Sequence, residues 1–171
     1  EGDIINNNIG YGLLYAANAD YFDPGLRQAQ DYQSILYEQA PGLGYGLYIP
    51  TANNSETVRY ELVPTDLGHI SIVGFPIQVQ AFLGGQQYPE EDHSFSPTPA
   101  GLMVTYQDDD LLPGMIEGNL RLYRLDGTSW VEATCPGYNF YRFANDNALA
   151  VPICQTGTFV LSDQVPVLLV L

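Results

Sequence analysis

Two histidines and two cysteines are all the imidazole and thiol in this 171-residue sequence, set among 20 carboxylates. His69 lies between Gly68 and Ile70 at an expected strand start, whereas His93 follows the acidic run Glu90, Glu91 and Asp92. A base must be held within hydrogen-bond reach of the proton it takes, and nothing local holds either ring. His93 is therefore expected as a solvated loop residue rather than a catalytic base. The sequence has no nucleophile elbow, no H-E-x-x-H zinc motif and no phosphate-binding loop. Carboxylate pairs are abundant by composition alone, so a carboxylate hydrolase ranks below the non-enzymatic readings.

Oxygen ligands offer a better-defined site. Asp108, Asp109 and Asp110 with Glu117, and separately Glu90, Glu91 and Asp92, put hard oxygens on loops, as calcium prefers. The aspartates do not alternate as an EF-hand loop requires, because Leu111, Leu112 and Pro113 follow them directly. Consecutive side chains at a strand end diverge, so at most two of the three aspartates face one ion. Asp108, Asp110 and Glu117 are thus the candidate calcium ligands, and no other cofactor is expected. The alternative is a solvated acidic turn that keeps a sheet edge from pairing wrongly.

The charge balance narrows the partners. Against the 20 acids stand only 5 basic residues, all arginine (Arg27, Arg59, Arg121, Arg124 and Arg142), for a net charge of −15. Binding nucleic acid needs clustered cations, and an anionic membrane surface repels such a chain. The absence of lysine closes the lysine–asparagine isopeptide route that staples many surface sandwiches. With 46% hydrophobic and 15% charged residues, the composition is that of a chain with a core. Its longest uncharged apolar run, Val165 to Leu171, is far short of the ~20 residues of a membrane span. The chain starts at Glu1 without a basic or apolar leader, and is expected to be a processed, exported form. In that setting Cys135 and Cys154, either side of a turn region, favour a disulfide over two buried thiols.

The elements that position these groups read as strands. Val58, Tyr60 and Leu62 alternate with polar residues, as do Ile77, Val79, Ala81 and Leu83. Leu102, Val104 and Tyr106 form a further set, followed by Leu120 and Leu122, then Leu149, Val151 and Ile153, then Phe159 and Leu161. Asp126 and Gly127 supply a hairpin turn into Trp130 and Val131, because that pair tolerates positive φ. Short strands between Gly, Pro, Asn and Asp turns predict an all-β antiparallel sandwich, Ig-like or jelly-roll-like, as one domain over residues 1–171. One segment dissents: Asp23 and Pro24 open a stretch whose Gln, Ala and Leu content suits a short helix near 24–38. Ser34 to Tyr37 fits a strand equally well.

Both ends carry apolar residues. Residues 164–171 are apolar on both faces of an expected strand, with Val165, Val167, Leu169 and Leu171 on one of them. Ile4 and Ile5 stand near the start of an N-terminal extension, residues 1–40, expected to pack on the domain or to be exchanged with a neighbour. Either end suits strand addition to a neighbouring subunit, and the last strand completing its own core is the alternative. The 13 tyrosines suit interfaces as well as cores.

From about residue 54 to 163 an ordered series of phrases stands out. It runs from Glu56 to Tyr60, through Phe75, Ile77 and Val79, to Pro99 through Tyr106 before Asp108 and Asp110. Glu117, Leu120, Leu122 and Tyr123 then precede the Asp126, Gly127, Trp130 and Val131 hairpin. Cys135, Pro136, Gly137, Tyr138 and the run from Val151 to Cys154 before Phe159 are the most specific stretch. The series resembles a β-sandwich module of secreted and surface proteins in Chloroflexi-type bacteria. That resemblance implies an exported sandwich whose Cys135 and Cys154 are joined, and it implies no activity. Where the family often has His-Leu-Ser after the second cysteine, this chain has Gln155, Thr156 and Gly157, so no role for that histidine carries over.

Taken together, these features predict a non-enzymatic extracellular structural protein that assembles with copies of itself into a pilus-like surface filament by strand addition. Nucleic acid and direct membrane insertion are not expected. A calcium-dependent module that binds surface glycans or adheres to a partner is the alternative.

Overall fold

The computed structural model describes residues 32–50, 58–68, 70–88, 93–96, 98–143 and 145–167. Their strands are β1 (Tyr32–Ala40), β2 (Leu43–Pro50), β3 (Val58–Pro64), β4 (Val73–Leu83), β5 (Gln86–Gln87) and β6 (Ala100–Thr105). After two short 3₁₀ turns, Asp108–Asp110 and Glu117–Asn119, come β7 (Arg121–Asp126), β8 (Ser129–Glu132), β9 (Tyr141–Phe143), β10 (Ala148–Ile153) and β11 (Gly157–Ser162). They form two antiparallel sheets, one in the order β1-β2-β6-β10-β9 and the other β3-β4-β11-β7-β8, with β5 paired to β4. The chain is the expected all-β sandwich.

Alternation decides which side chains enter the space between the sheets. Tyr60 and Leu62 of β3 and Ile77, Val79 and Ala81 of β4 are buried there, opposite Leu47 and Ile49 of β2 and Leu102 and Val104 of β6. Leu149, Val151, Phe159 and Leu161 complete this core. The Tyr45 hydroxyl, on β2, crosses it and donates to the Phe75 carbonyl of β4 at 2.9 Å. Leu83 ends its alternating series exposed, because the chain turns at once through Gly84 and Gly85, both at positive φ. Gly127, at φ 61°, makes the expected turn between β7 and β8.

The central strands are buried on both faces: all of β6, β10 and β11 and nearly all of β2. On the outer face of the second sheet the reason is visible. Tyr123, Trp130 and Val160 pack there with Ile72, and Leu67 and Ile70 of the β3–β4 connection lie against them. The Ser162 hydroxyl holds that connection by donating to the Ser71 carbonyl at 3.0 Å.

Two expectations change. The helix near 24–38 gives way, over residues 32–38, to β1, which runs antiparallel to β2 from Tyr32 opposite Pro50 to Ala40 opposite Leu43; residues 24–31 lie outside the described residues. Helix propensity is a weak prior there, and pairing with a strongly β-forming neighbour overrides it. At the other end, residues 163–167 are not in a strand, and Val165 and Val167 are exposed on either side of buried Pro166. Leu169 and Leu171, with Ile4 and Ile5, lie outside the described residues.

Candidate functional site

The cysteines are joined, Cα to Cα at 5.1 Å, as expected. Cys135 follows β8 at the edge of one sheet and Cys154 follows β10 of the other, so the bond staples the two sheets. Backbone bonds set the sulfurs up: Cys135 N–H donates to the Pro152 carbonyl and Phe95 N–H to the Cys154 carbonyl, each at 2.8 Å. A disulfide is compatible with an oxidising, extracellular setting. Among the described residues no helix is long and apolar enough to cross a membrane.

The same corner holds His93, and here the expectation of a solvated loop residue is corrected. Its Nε2 lies 2.7 Å from the Tyr60 hydroxyl, and its ring packs against Tyr60, Tyr88 and Phe95 at centroid distances of 5.2, 5.2 and 5.7 Å. Its carbonyl accepts from the Thr156 N–H at 3.0 Å. These contacts brace β3 against the disulfide loop. His69 lies outside the described residues.

Burial holds the His93 pKa below its ordinary 6.5, so the folded chain takes up this proton less readily than the unfolded chain. The stability that the neutral ring contributes is complete above the unfolded value and lost as pH falls through the folded one. An NMR titration is expected to place the His93 midpoint below 6.5, and His93→Phe to remove this part of the acid-side loss of stability. A midpoint at or above the ordinary value would contradict the packing argument.

The acidic loop is organised, but not around a common point. Asp108 Oδ1 accepts from Asn147 Nδ2 at 2.8 Å, and Asp110 Oδ2 accepts from the Gln107 N–H at 2.8 Å, closing its own 3₁₀ turn. Glu117 Oε1 accepts from the Tyr106 hydroxyl at 2.8 Å. The candidate calcium ligands Asp108, Asp110 and Glu117 are thus bonded in three separate places. Among the described residues no three acidic, histidine or cysteine side chains converge as metal ligands.

Arg142, unnoticed in the sequence beyond its charge, links the sheets beside Glu117. It stands on β9 and donates from Nη1 to the Glu117 carbonyl at 2.9 Å and from Nη2 to the Leu120 carbonyl at 2.6 Å, just before β7. Burial, the Glu117 bond and the Glu117 charge push the Tyr106 pKa upward, against a smaller opposing effect of Arg142.

Sheet edges are where another chain can add. β9 and β8 are short, and β3 carries the Arg59–Glu61 ion pair and ends at Pro64. β1 differs: nine residues, YQSILYEQA, with Glu38 its one charge and no proline or glycine. It ends its sheet, and among the described residues nothing pairs with its outer side. Natural edges are blunted by charge, proline, bulges or brevity, and β1 has only the single charge of Glu38 and the bulge beside it. Exposed Leu36 points away from the core beside this edge, and exposed Val165 and Val167 lead into the apolar tail.

Comparison of the chain with protein-family models, characterised proteins and solved structures finds no match.

Proposed function

We propose that the protein is a non-enzymatic, exported structural subunit that polymerises on the cell surface. In this reading the apolar tail that begins at Val165 adds as a strand to β1 of the next subunit. The β1 edge, unpaired among the described residues, is the observation that carries it, since such an edge is a template for pairing. The exposed Val165 and Val167 supply a donor of the right chemistry. Main-chain hydrogen bonds give affinity, and the apolar residues Val165, Val167, Leu169 and Leu171, two apart, set register. Subunits of charge −15 repel, so association strengthens with salt until screening is complete.

Electron microscopy of the purified chain is expected to show filaments that become more numerous with salt. Deleting residues 165–171, or introducing Leu36→Lys beside the edge, is expected to abolish them while the circular dichroism and melting of the monomer persist. A full chain that stays monomeric across salt and protein concentration would sink the proposal. Filaments that survive both variants would move assembly to another surface.

A further inference from the structure

A cavity of about 310 Å³ opens beside the disulfide, lined by both cysteines and by Arg124 of β7. Arg124 shares the face of Leu122, a core residue, while Tyr123 between them joins the cluster outside the sheet. Its cross-strand neighbours are Phe159 of β11, in the core, and Val131 of β8, which is exposed and lines the cavity. The guanidinium therefore stands on the inner face of its sheet, where the core ends and the disulfide joins the two sheets. Gly157 lets it lie there: a Cβ at that position would meet Arg124 Cγ at 3.3 Å and Cδ at 3.4 Å, and the glycine's φ of 145° excludes most side chains in any case. Arg124 is half-buried, and among the described residues its one hydrogen bond is a long one, from Nη1 to the Leu125 carbonyl at 3.3 Å. No described carboxylate pairs with it, although the chain has 20 of them. Glu132 also lines the cavity, but it stands opposite Tyr123 on the outer face, and its Oε1 accepts from the Thr134 hydroxyl at 3.5 Å.

We propose that this cavity binds a small carboxylic acid that carries hydroxyl groups, of the class of the sugar acids. The proposal goes beyond the filament reading and stands without it. The guanidinium supplies the anchor: a planar fork of N–H donors, all but one of them uncommitted among the described residues, matches a carboxylate with two parallel hydrogen bonds. Gln155, whose side-chain amide no described residue bonds, offers both a donor and an acceptor to a hydroxyl, and the Thr134 oxygen keeps a lone pair to accept another. Val131, Ala133 and Pro136 give the apolar wall against which the carbon face of a ring packs. The volume sets the size, since it lies at the lower end of the roughly 300–1,000 Å³ of small-molecule sites and suits one sugar-sized ring rather than a longer chain. The cysteine pair, with its backbone bonds to Pro152 and from Phe95, fixes the two sheets on either side, so the site is formed before the ligand arrives.

The test titrates the isotope-labelled full chain by NMR at low salt, where subunit repulsion favours the monomer, with glucuronate, acetate and glucose as three separate probes. Glucuronate is expected to shift the Arg124 side-chain N–H and the Thr134 and Gln155 amides and to saturate. Acetate, the carboxylate without the ring, and glucose, the ring without the carboxylate, should each bind at least about tenfold more weakly. Arg124→Gln should weaken glucuronate binding at least about tenfold and Arg124→Lys less, whereas Arg59→Gln, on the edge strand β3, should leave it unchanged. No saturable shift with glucuronate, or shifts confined to other residues, would overturn the site. Acetate binding as tightly as glucuronate would overturn the ligand class, because a bare anion would then suffice. Glucose binding as tightly, or full affinity in Arg124→Gln, would overturn the role of the guanidinium. Equal losses in Arg124→Gln and Arg59→Gln would reduce the effect to net charge and overturn it as well. The comparison of the three probes uses the unaltered chain, so a variant that fails to fold leaves the test intact.

Discussion

Replacing Cys135 and Cys154 together with alanine is expected to lower stability by about 3 kcal/mol, the loop-closure entropy of a chain cross-linked across the observed sequence separation of 19. Alanine is the right replacement because Cys135 is buried, and a serine hydroxyl there would add a desolvation cost of its own. The backbone bonds from Cys135 N–H to Pro152 and from Phe95 N–H to Cys154 need no sulfur, so the folded corner is expected to persist. The loss should therefore appear as a lower urea midpoint with a similar or slightly larger m-value. Thiol reduction of the unaltered chain should reproduce it, and the double-alanine chain should be insensitive to reductant. An unchanged midpoint would mean that the noncovalent contacts of this corner already restrict the unfolded chain as much as the bond does. Closed covalent routes raise the stakes, since without lysine no isopeptide cross-link can substitute.

What could be read from the sequence was whatever neighbours along the chain determine. Tyr60 and Leu62, and Val79 between Gln78 and Gln80, show their buried face by alternation alone, and Asp126 with Gly127 shows its turn by the φ it requires. β1 was ambiguous because what makes it a strand is its pairing with β2, a fact of tertiary structure that Gln, Ala and Leu content does not encode. His93 was misjudged for a related reason. Its sequence neighbours are acids, whereas its hydrogen-bond partner, Tyr60, is 33 residues away. The acidic loop repeats the lesson: Glu117 answers to Tyr106 and Arg142, 11 and 25 residues distant, and not to the aspartates that its composition groups it with. Residues 164–167 were apolar enough for a buried strand, but β11 already has β4 on one side and β7 on the other, so this sheet offers them no place beside it. Trp130 and Tyr123, which face outward, became a second cluster because the β3–β4 connection folds over them, and alternation carries no signal of that.

Arg142→Met is expected to lower stability by about 2 kcal/mol, through two charge-assisted hydrogen bonds at a half-exposed site. Neither carbonyl is left bare, which bounds the loss: Glu117 O still accepts from the Leu120 N–H at 3.1 Å, and Leu120 O from Arg121 Nη1 at 2.8 Å. What disappears is the bridge, because Arg142 stands on β9 of one sheet while both carbonyls lead into β7 of the other. The Phe140 ring, with the Arg121 guanidinium 4.7 Å and that of Arg142 5.9 Å from its centre, also loses one of its two cations. Arg142→Lys should recover less than half of the loss, since an ammonium cannot reach both carbonyls with the planar fork of a guanidinium. The neighbouring Tyr106 hydroxyl holds Glu117 by its side chain while Arg142 holds it by its backbone. Tyr106→Phe and Arg142→Met should accordingly be coupled, the double variant losing less than the sum of the singles. Denaturant midpoints of the four chains measure this directly. Strict additivity would show that the 3₁₀ turn at Glu117–Asn119 is held at two independent points rather than as one clasp between the sheets.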